Sequence, residues 1–398
     1  MVLTKKQNDG LIEAIRRYKA HEKYTVISGY AGTGKSTLVK FIVTEIAALG
    51  DIDPDSDICY SCFTGKACQV LQKKGNKNVL TLHKLLYESH PRPDGGFFRI
   101  PKREIDYRIV VVDEVSMAPK TLMDLLFKHN VHVICLGDPF QLPPVDKDED
   151  NHLLDKPHIF LDEIMRQAAE SEIIRLSMKI RDYKDFENEF KNGNEVRIYP
   201  TNALSIEMLN WADQALVGTN ATRTNINNQM RQYLGRGDKP EDGDKIICLR
   251  NYWDDFSDDG AALVNGTIGY LQNSFESFHR IPQWANPDIN LIDFVVGNFI
   301  SDSNEKYTNL TMDKKLILTG EKSLDWKTAY KLSKSPKFLG LIPKEFTYGY
   351  AITGHKSQGS EWDKVLTIEE GFPFNKEEHA RWLYTTVTRA SDKLVLIR

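Results

Sequence analysis

The stretch Gly29-Tyr-Ala-Gly-Thr-Gly-Lys35-Ser36 decides the fold of this chain. It matches the pattern G-x-x-x-x-G-K-[ST], follows a β-type run at residues 24–28 and precedes a segment whose apolar residues recur at helical spacing. Gly32 and Gly34 allow the backbone to bend so that its N–H groups surround phosphate oxygens, and the N-terminus of the next helix adds partial positive charge. Strand, loop and helix in this order predict a phosphate-binding loop at the edge of an α/β sheet.

Other β-type runs follow this loop along the chain, and helical stretches separate several of them. Runs this apolar and β-branched suit a parallel sheet covered on both faces, and their alternation with helices implies a doubly wound α/β domain. The pattern returns later and indicates a second α/β domain. The strand-like runs are residues 58–63, 109–112, 131–136, 215–217, 245–249, 346–352, 364–368 and 393–397, and the later helical stretches are 222–234 and 377–387.

Two segments interrupt the alternation. Residues 88–107 are rich in proline, glycine and aromatic side chains, and residues 265–344 are irregular with short β-like pieces. We interpret both as insertions, the second large enough to form a small β-rich subdomain.

Composition limits the classes of protein that fit. The chain has 398 residues, 41% hydrophobic and 27% charged, which fits a globular protein of about two to four domains. It has no run of about 18 apolar residues that could span a bilayer, and no apolar signal core follows its polar first residues. Five cysteines do not make a disulfide framework in a chain this long, so we expect an intracellular protein of the cytoplasm or nucleoid, not a secreted one. The net charge of −4 means that any nucleic acid would lie in a local groove.

An acidic pair, Asp113-Glu114, ends the apolar run at residues 109–112. The carboxyl end of a strand in a parallel sheet lies on the ligand side. Lys35 would reach the β- and γ-phosphates, Ser36 and Asp113 would hold Mg²⁺, and Glu114 would orient the attacking water. These residues predict a nucleoside triphosphatase that uses ATP and Mg²⁺, without saying what the energy drives.

Further motifs extend over nearly the whole chain. In order they are Gln7, residues 63–67 (Phe-Thr-Gly-Lys-Ala), 81–86 (Thr-Leu-His-Lys-Leu-Leu), 113–117 (Asp-Glu-Val-Ser-Met), 137–145 (Gly-Asp-Pro-Phe-Gln-Leu-Pro-Pro-Val), 161–167 (Leu-Asp-Glu-Ile-Met-Arg-Gln), 351–361 (Ala-Ile-Thr-Gly-His-Lys-Ser-Gln-Gly-Ser-Glu) and 383–390 (Leu-Tyr-Thr-Thr-Val-Thr-Arg-Ala). With these motifs the chain closely resembles superfamily 1 helicases of the 5′-to-3′ subclass, which includes the RecD-like and Dda-like DNA helicases. Two departures are Gly354, where a bulkier residue is usual, and Trp362, where phenylalanine is common.

The resemblance implies a specific α/β architecture. We expect two RecA-like P-loop domains in tandem, with a pin hairpin inserted in the first and a small SH3-like β subdomain inserted in the second. The expected boundaries are residues 1–165 for the first domain with the pin at about 88–107, residues 166–264 and 345–398 for the second, and residues 265–344 for the SH3-like insertion.

The resemblance also assigns roles around ATP. It implies that Gln141 senses the γ-phosphate and that Arg166 and Arg389 act as arginine fingers, although either arginine alone could have only a surface or salt-bridge role. The implied catalytic residues are Lys35, Asp113, Glu114, Gln141, Arg166 and Arg389. The implied contacts to ATP and Mg²⁺ are Gln7, which reads the adenine edge, and Gly29, Gly32, Thr33, Gly34, Lys35, Ser36, Thr37, Asp113, Gly359 and Glu361.

Contacts to nucleic acid should be mainly to phosphate, because a motor must ignore sequence. Phe97 or Phe98 of the pin could stack on a freed base, since stacking is worth about 1–3 kcal/mol, or both could anchor the hairpin. The two histidines could instead have ordinary core or helix-capping roles. The implied DNA contacts are Thr64, Lys66, His83, Phe97, Phe98, Thr353, His355, Lys356 and Gln358.

Two features have competing interpretations. The lysines at the end of the second insertion either brace the pin or line the exit of the strand, or they form a solvated helical face; they are Lys314, Lys315, Lys322, Lys327, Lys331, Lys334, Lys337 and Lys344. Cys59 and Cys62, with Cys68 nearby, form a zinc site or are buried thiols, and the lack of a second ligand pair at the usual spacing favours thiols.

The expected function is an ATP-dependent DNA helicase that moves 5′ to 3′ on single-stranded DNA and unwinds duplex, in replication, repair or recombination. Its expected partners are single-stranded DNA, single-strand/duplex junctions and a single-strand-binding or replisome protein, and we expect a monomer with no membrane association. The alternatives are an RNA helicase, which Ser116-Met117 after the acidic pair disfavours, a translocase that displaces bound proteins, and a non-catalytic strand-binding module, which leaves the ATP motifs unexplained.

Overall fold

The computed structural model describes residues 3–50, 52–91, 97–143, 147–191, 193–258, 260–371 and 375–398. The chain divides into two compact units. The first unit consists of Met1–Tyr87, Lys102–Gly218 and Thr353–Arg398, and the second consists of Glu88–Pro101 and Thr219–Ile352.

The helices and strands have the following bounds. The α-helices are α1 (Lys5–Lys19), α2 (Lys35–Ala48), α3 (Gly65–Lys73), α4 (Leu82–Leu86), α5 (Lys120–Leu126), α6 (Arg166–Ala169), α7 (Glu172–Arg181), α8 (Glu187–Phe190), α9 (Ile206–Trp211), α10 (Asn220–Tyr233), α11 (Lys314–Thr319), α12 (Trp326–Ser333), α13 (Pro336–Leu339) and α14 (Lys376–Val387). The strands are β1 (Tyr24–Gly29), β2 (Ile58–Cys62), β3 (Val79–Thr81), β4 (Tyr87–Pro91), β5 (Phe97–Pro101), β6 (Ile109–Val112), β7 (His132–Gly137), β8 (Ile159–Leu161), β9 (Val196–Tyr199), β10 (Gln214–Val217), β11 (Lys245–Cys248), β12 (Tyr252–Phe256), β13 (Ala262–Leu263), β14 (Ile268–Arg280), β15 (Leu291–Ser301), β16 (Lys306–Asp313), β17 (Phe346–Tyr348), β18 (Ala351–Thr353), β19 (Trp362–Ile368) and β20 (Ala390–Ile397).

The first sheet lies in the first unit and has the spatial order β3-β2-β6-β7-β1-β8, with neighbouring strands parallel. Helices α1 and α2 cover one face, where Leu38 and Ile42 pack with Ile27 in one apolar core. Helices α4 and α5 cover the other face, where Leu86 and Leu126 belong to a second core. The doubly wound α/β arrangement predicted from the sequence is therefore confirmed. Because all carboxyl ends of parallel strands meet at one edge, the loops after β1, β6 and β7 lie close together.

A second parallel sheet in the first unit includes β10, β19, β20 and β9 in that spatial order. Helix α14 packs on it through buried Trp382, Leu383 and Val387. The side chain of Asn375 accepts a hydrogen bond from the Glu378 N–H and so caps the start of this helix. This sheet positions the motif at residues 383–390.

The second unit contains an antiparallel sheet with the order β16-β15-β14-β11-β17. Its core includes Ile246, Leu271, Phe299 and Phe346. The sequence predicted strands at β11 and β17 but counted them with the second α/β domain, whereas both pair antiparallel in this sheet. A short buried run without alternation of apolar and polar residues occurs in either type of sheet, so periodicity could not separate the two.

Shorter pairings complete the second unit. Strands β4 and β5 pair in a two-stranded sheet within the predicted pin insertion, and β12 pairs with β13. The predicted domain boundaries, the pin and the SH3-like character of residues 265–344 stay predictions. Within the described ranges, the helices are too short or too polar to cross a membrane.

Candidate functional site

The loop between β1 and α2 has the backbone geometry that phosphate binding needs. Gly32 has φ +75° and Gly34 has φ +80°, the left-handed region that favours glycine. A Cβ on Gly34 would lie 2.4 Å from the Gln7 amide nitrogen, so only glycine fits there. Gly34 is also the N-cap of α2, and because it has no side chain, no side-chain cap covers the first N–H groups of this helix.

The remaining residues of the loop hold it together. Lys35 Nζ donates to the carbonyl oxygens of Gly29 at 2.6 Å and Tyr30 at 3.0 Å. Thr33 Oγ1 donates to the same Tyr30 carbonyl at 2.8 Å. Ser36 is exposed in the first turn of α2, next to half-buried Thr37. Lys35, Ser36 and Thr37 therefore lie together at the start of α2.

Gln7 is buried, with 1% of its surface exposed. Its Oε1 accepts from the Thr4 N–H at 3.0 Å in a capping box at the start of α1. Its Nε2 donates to the Thr33 carbonyl at 3.2 Å and contacts Met165 Sδ at 3.3 Å. Both ends of the amide thus bind within the protein, and the structure gives Gln7 a clear role in fixing α1 to the phosphate loop.

The acidic pair follows β6 at the same edge of the sheet. Asp113 Oδ1 accepts from the Glu114 N–H at 2.9 Å, and Glu114 has φ +51°, an uncommon backbone conformation for this residue type. Burial and the neighbouring Glu114 carboxylate raise the pKa of Asp113 to about 6, although the charge of Lys35 acts in the opposite direction. A carboxylate held in this way is stabilised by a cation, which fits the residues for Mg²⁺.

Glu114, Gln141 and Arg389 form one hydrogen-bonded line. With its amide nitrogen turned toward Glu114, Gln141 donates to Glu114 Oε2 at 3.0 Å, and its amide oxygen accepts from Arg389 Nη2 at 3.2 Å. Arg389 is only 6% exposed, and it also donates to the carbonyl oxygens of Thr385 at 3.0 Å and Ser360 at 3.3 Å. The two parallel sheets therefore contribute to one polar site.

A cavity of about 180 Å³ opens at this line. Asp113, Glu114 and Arg389 line it together with Gly359 and Glu361, which the sequence placed among the nucleotide contacts. A cation–carboxylate pocket of this kind, next to a phosphate loop, can hold an anionic substrate and orient a water molecule against it.

Gln358, predicted as a DNA contact, is 7% exposed and holds the backbone of Leu142. Its Nε2 donates to the Leu142 carbonyl at 2.8 Å, and Thr385 Oγ1 accepts from the Leu142 N–H at 3.0 Å. The backbone N–H and the carbonyl of Leu142, after β7, are thus both bound by side chains from the part of the chain that forms the second parallel sheet. Gln358 is therefore buried in this structure, and its contact to DNA stays a prediction.

Tyr384 is the main residue that sequence reasoning missed. Its hydroxyl accepts from the Ala31 N–H of the phosphate loop at 2.9 Å and donates to Asp138 Oδ2 at 2.6 Å. Asp138 Oδ1 accepts from the Phe140 N–H at 2.9 Å, and burial raises the pKa of this carboxyl. Both residues lay inside recognised motifs without a role. A hydroxyl-bearing aromatic in an otherwise apolar helix face was the available signal.

Arg166 begins α6, directly after Met165, whose N–H donates to the Gly32 carbonyl at 3.0 Å. The backbone of Arg166 therefore lies beside the phosphate loop. Its side chain lies outside the part of the structure described, so its finger role stays a prediction.

Three predicted DNA contacts lie around α3 and α4. Thr64 caps α3 by accepting from the Ala67 N–H at 3.2 Å, and half-buried Lys66 follows in the first turn. His83 lies in α4, with its ring 5.8 Å from that of Phe63 and 6.2 Å from that of Tyr87. Phe63, His83 and Tyr87 are all partly exposed, so they present a small aromatic surface at this end of the sheet.

Three further predicted DNA contacts lie at the end of β18 or just after it. Thr353 is buried, His355 is half-buried with its pKa lowered by burial, and Lys356 is exposed. His355 lines a second cavity of about 720 Å³, whose wall includes Asp155 and Glu377. These carboxylates do not favour a phosphate inside that cavity, so a phosphate contact to His355 would have to lie outside it.

The glycine at position 354 has a steric cause. A Cβ on Gly354 would lie 2.6 Å from Trp382 Nε1 and 2.9 Å from Thr386 Cγ2. The buried indole ring of Trp382 takes the space that a larger side chain would fill, so the departure at Gly354 is compensated from α14.

Two other predictions concern the aromatic residues of the pin and the cysteines. Phe97 and Phe98 begin β5, and their side chains lie outside the described part of the structure. All five cysteines are buried and free, and Cys62 lines the cavity beside Asp113. Among the described side chains, no cluster of three or more histidine, cysteine, aspartate or glutamate residues could hold a metal ion.

Comparison with known proteins agrees with this geometry. The family model described as an AAA domain matches residues 4–195, and the model described as a UvrD-like helicase C-terminal domain matches residues 348–397. The ATP-dependent RecD2 DNA helicase of Deinococcus radiodurans is 25% identical over 417 residues, which cover 98% of this chain. The chain is therefore similar to superfamily 1 DNA helicases, through an AAA domain at residues 4–195 and a UvrD-like helicase C-terminal domain at residues 348–397.

Two further comparisons show how far the likeness extends. The ATP-dependent DNA helicase dda of Enterobacteria phage T4 is 25% identical over 273 residues, covering 62% of this chain and 61% of that protein. The chain spans 49% of the length of RecD2. The crystal structure of Bacteroides Pif1 bound to ssDNA has a TM-score of 0.53 and 17% identity, and covers 100% of this chain and 92% of that one. This likeness, together with the two parallel sheets, confirms the predicted α/β fold of RecA-like domains.

Proposed function

We propose that this chain is an ATP-driven motor that moves 5′ to 3′ along single-stranded DNA and unwinds duplex DNA. The line from Glu114 through Gln141 to buried Arg389, beside the phosphate loop, is the observation that carries the proposal. It joins a carboxylate that can orient water to a cation that can neutralise charge developing on a transferred phosphoryl group.

ATP would be bound by groups of the phosphate loop and of the acidic pair after β6. The N–H groups at the start of α2 have no side-chain cap and would bind phosphate oxygens, and Lys35, whose Nζ contacts the Gly29 carbonyl in this structure, would turn to the phosphates. Glu114 would orient the attacking water. Ser36 and Asp113 would hold Mg²⁺, which supplies positive charge at the β- and γ-phosphates when bound. The raised pKa of Asp113 supports this, since a nearby cation would favour its charged form.

Hydrolysis would change the contacts of Arg389 and Gln141, and through them the proposed contacts to the DNA strand. Gln141 belongs to the segment whose Leu142 is bound by Gln358 and Thr385. Arg166 is the second proposed finger. A shift at the γ-phosphate would therefore move the backbone after β7 against the residues around His355, which is our proposal for translocation.

DNA is the proposed track because the relatives point to it. RecD2 and Dda are named as ATP-dependent DNA helicases, and Bacteroides Pif1 is bound to ssDNA in its crystal structure. The proposed DNA contacts are Thr64, Lys66, His83, Thr353, His355, Lys356 and Gln358, and Phe97 or Phe98 is the proposed pin aromatic. The domain boundaries given above, a monomeric state, an intracellular location and a single-strand-binding or replisome partner belong to the same proposal.

The first experiment tests ATP turnover with Lys35→Ala, using Lys40→Ala, an exposed lysine of the same helix, as the matched control. We expect strand-stimulated ATP hydrolysis to vanish in Lys35→Ala and to persist in Lys40→Ala, while single-strand binding survives in both. Equal ATP turnover in Lys35→Ala and the unaltered chain would refute an ATP-driven motor, and turnover absent from the unaltered chain would favour a strand-binding module.

The second experiment tests the track and the direction. ATP turnover is compared with DNA and RNA oligonucleotides, and strand displacement is compared on duplexes with a 5′ or a 3′ single-stranded tail. We expect stimulation by DNA and unwinding from the 5′ tail. Stimulation by RNA alone would favour the RNA helicase, unwinding from the 3′ tail alone would reverse the polarity, and translocation without unwinding would favour displacement of bound proteins.

A further inference from the structure

One segment of the second unit has a charge opposite to that of the whole chain. Residues 326–344 contain five lysines and no aspartate or glutamate, in a chain of net charge −4. Helices α12 and α13 lie in this segment. Lysines Lys327, Lys331, Lys334 and Lys337 are distributed along these two helices and the turn between them.

A separate small core fixes these two helices. Leu332 of α12 is fully buried with Ile281, Ala285 and Ile292, close to the turn that joins β14 and β15, and Phe338 of α13 packs against the same cluster. Asp325 caps α12 by accepting from the Thr328 N–H at 2.9 Å. This packing and the cap therefore hold α12 in a fixed position.

The outer face of α12 carries two large exposed aromatic rings. Trp326 is 71% exposed and Tyr330 is 42% exposed. They stand one turn apart on α12, with ring centres 5.6 Å apart and planes inclined by 33°. Most tryptophans are largely buried, so an indole with this exposure on a capped helix marks a surface that contacts something else.

Two of the lysines lie against aromatic rings of this surface. Lys334 Nζ lies 4.7 Å from the centre of the Tyr330 ring, and Lys337 Nζ lies 5.5 Å from that of Phe338. The Trp284 ring, 54% exposed, is 5.4 Å from Phe338 and extends the apolar surface. Flat rings edged by cations match the two parts of a nucleotide strand, which are stacking bases and anionic phosphates.

We propose that the outer face of α12 is an additional binding platform for single-stranded DNA, with bases on Trp326 and Tyr330 and phosphates at Lys327, Lys334 and Lys337. A strand is favoured over an acidic protein segment because the surface offers exposed aromatic rings for stacking bases as well as cations for phosphates, whereas an acidic peptide would use the cations alone. The proposal rests on the motor function proposed above for its choice of DNA.

The test compares Trp326→Ala/Tyr330→Ala with Phe275→Ala/Phe278→Ala, which removes two exposed rings (59% and 62%) from β14 of the same unit. Binding of oligo-dT of increasing length is measured by fluorescence anisotropy. We expect the unaltered chain to gain affinity once the oligonucleotide is long enough to reach the platform, and the α12 variant to lose about tenfold for each ring removed. The β14 control should keep the gain.

Two further measurements locate the binding surface. Oligonucleotides carrying 5-iodouracil should crosslink to Trp326 or Tyr330, as read by mass spectrometry of the peptides. Lys334→Glu/Lys337→Glu should make the negative slope of log affinity against log salt shallower, by about 0.7 for each phosphate that the variant no longer binds.

Several outcomes would overturn the platform. They are a length-dependent gain that persists in Trp326→Ala/Tyr330→Ala, no gain in the unaltered chain, or crosslinks that avoid α12. Binding of an aspartate-rich peptide that depends on these rings, with DNA binding unchanged, would assign the surface to a protein partner. Failure of the motor is distinguishable, because it shows as absent DNA-stimulated ATP turnover, whereas the platform is read from binding alone.

Discussion

The two parallel sheets of the first unit contribute to one site in different ways. The sheet that carries the phosphate loop supplies reactive groups, namely Lys35, Asp113 and Glu114, at the carboxyl ends of its strands. The sheet that carries α14 supplies side chains that mostly bind backbone of the first, since Tyr384 binds the Ala31 N–H and Thr385 binds the Leu142 N–H.

The difference shows what the second set of motifs has to achieve. Its helix must hold the segment after β7 in register with the phosphate loop, while Arg389, just beyond that helix, hydrogen-bonds to Gln141 in the line that leads to Glu114. A motif in this part of the chain therefore indicates residues that join the two sheets, as well as residues that act on ATP. Variants on each side should consequently differ in whether they change turnover, nucleotide affinity or stability.

The largest expected effect is on the chemistry contributed by the second sheet. Arg389→Ala removes the guanidinium next to Gln141, and an arginine finger contributes about 10³–10⁵ in rate. We expect the turnover number for ATP with saturating single-stranded DNA to fall by at least about 10³, while binding of a fluorescent nucleotide changes much less.

Arg16→Ala, an exposed arginine paired with Glu13 on α1, is the control and should keep full turnover. A similar small loss in Arg389→Ala and in Arg16→Ala would assign Arg389 to docking alone, and the contrast between the two sheets would then disappear.

The next effect concerns the free energy of unfolding and the buried carboxyl of Asp113 in the first sheet. Because the pKa of Asp113 is raised to about 6, the fold favours the protonated carboxyl, and the stability that this group contributes is present in acid and is lost as pH rises through about 6. Asp113→Asn removes the buried charge. We expect it to stabilise the protein without nucleotide and Mg²⁺ by about 1–2 kcal/mol near pH 8, with a smaller gain near pH 5, while abolishing ATP turnover.

Thermal melting at a series of pH values measures this effect, with Asp124→Asn, an aspartate of α5 outside the site, as the control. A gain that does not change with pH, or a gain equal to that of the control, would show that the charge of Asp113 is not disfavoured in the fold.

A smaller effect tests docking directly. Tyr384→Phe keeps the ring but removes the hydroxyl that joins the Ala31 N–H to Asp138. The phosphate loop then loses one restraint, so we expect the KM for ATP to rise about tenfold, the cost of about one hydrogen bond to a charged group, with a smaller change in kcat.

Tyr307→Phe is the matched control, because Tyr307 is also buried and its hydroxyl donates to a carbonyl, that of Ala262, in the second unit. Equal loss of thermal stability in both variants, with an unchanged KM in Tyr384→Phe, would reduce Tyr384 to a packing residue.

The sequence predicted the residues that act on ATP more fully than the contacts that join the two sheets. The phosphate loop and the acidic pair follow from local spacing, because a strand, a glycine turn and a helix place them without further information. Tyr384 and Gln358 act through partners more than 200 residues away in the chain, at Ala31 and Leu142, and no local pattern encodes such pairs. The antiparallel placement of β11 was missed for a related reason, since strand pairing is a property of two segments.

The smallest expected effect isolates the contact between the two sheets at Gly359. This residue has φ +73°, and a Cβ on it would lie 3.0 Å from Ala67 Cβ and 3.2 Å from Thr64 Oγ1. Gly50 has φ +83° with nothing within 4 Å of such a Cβ, so Gly50→Ala measures the backbone strain alone. We expect Gly359→Ala to cost about 0.5–1 kcal/mol more than Gly50→Ala in thermal stability, because Thr64 and Ala67 must also shift. Equal costs would mean that the segment around Gly359 gives way without loss, and that the sheets are less firmly joined there than at Leu142.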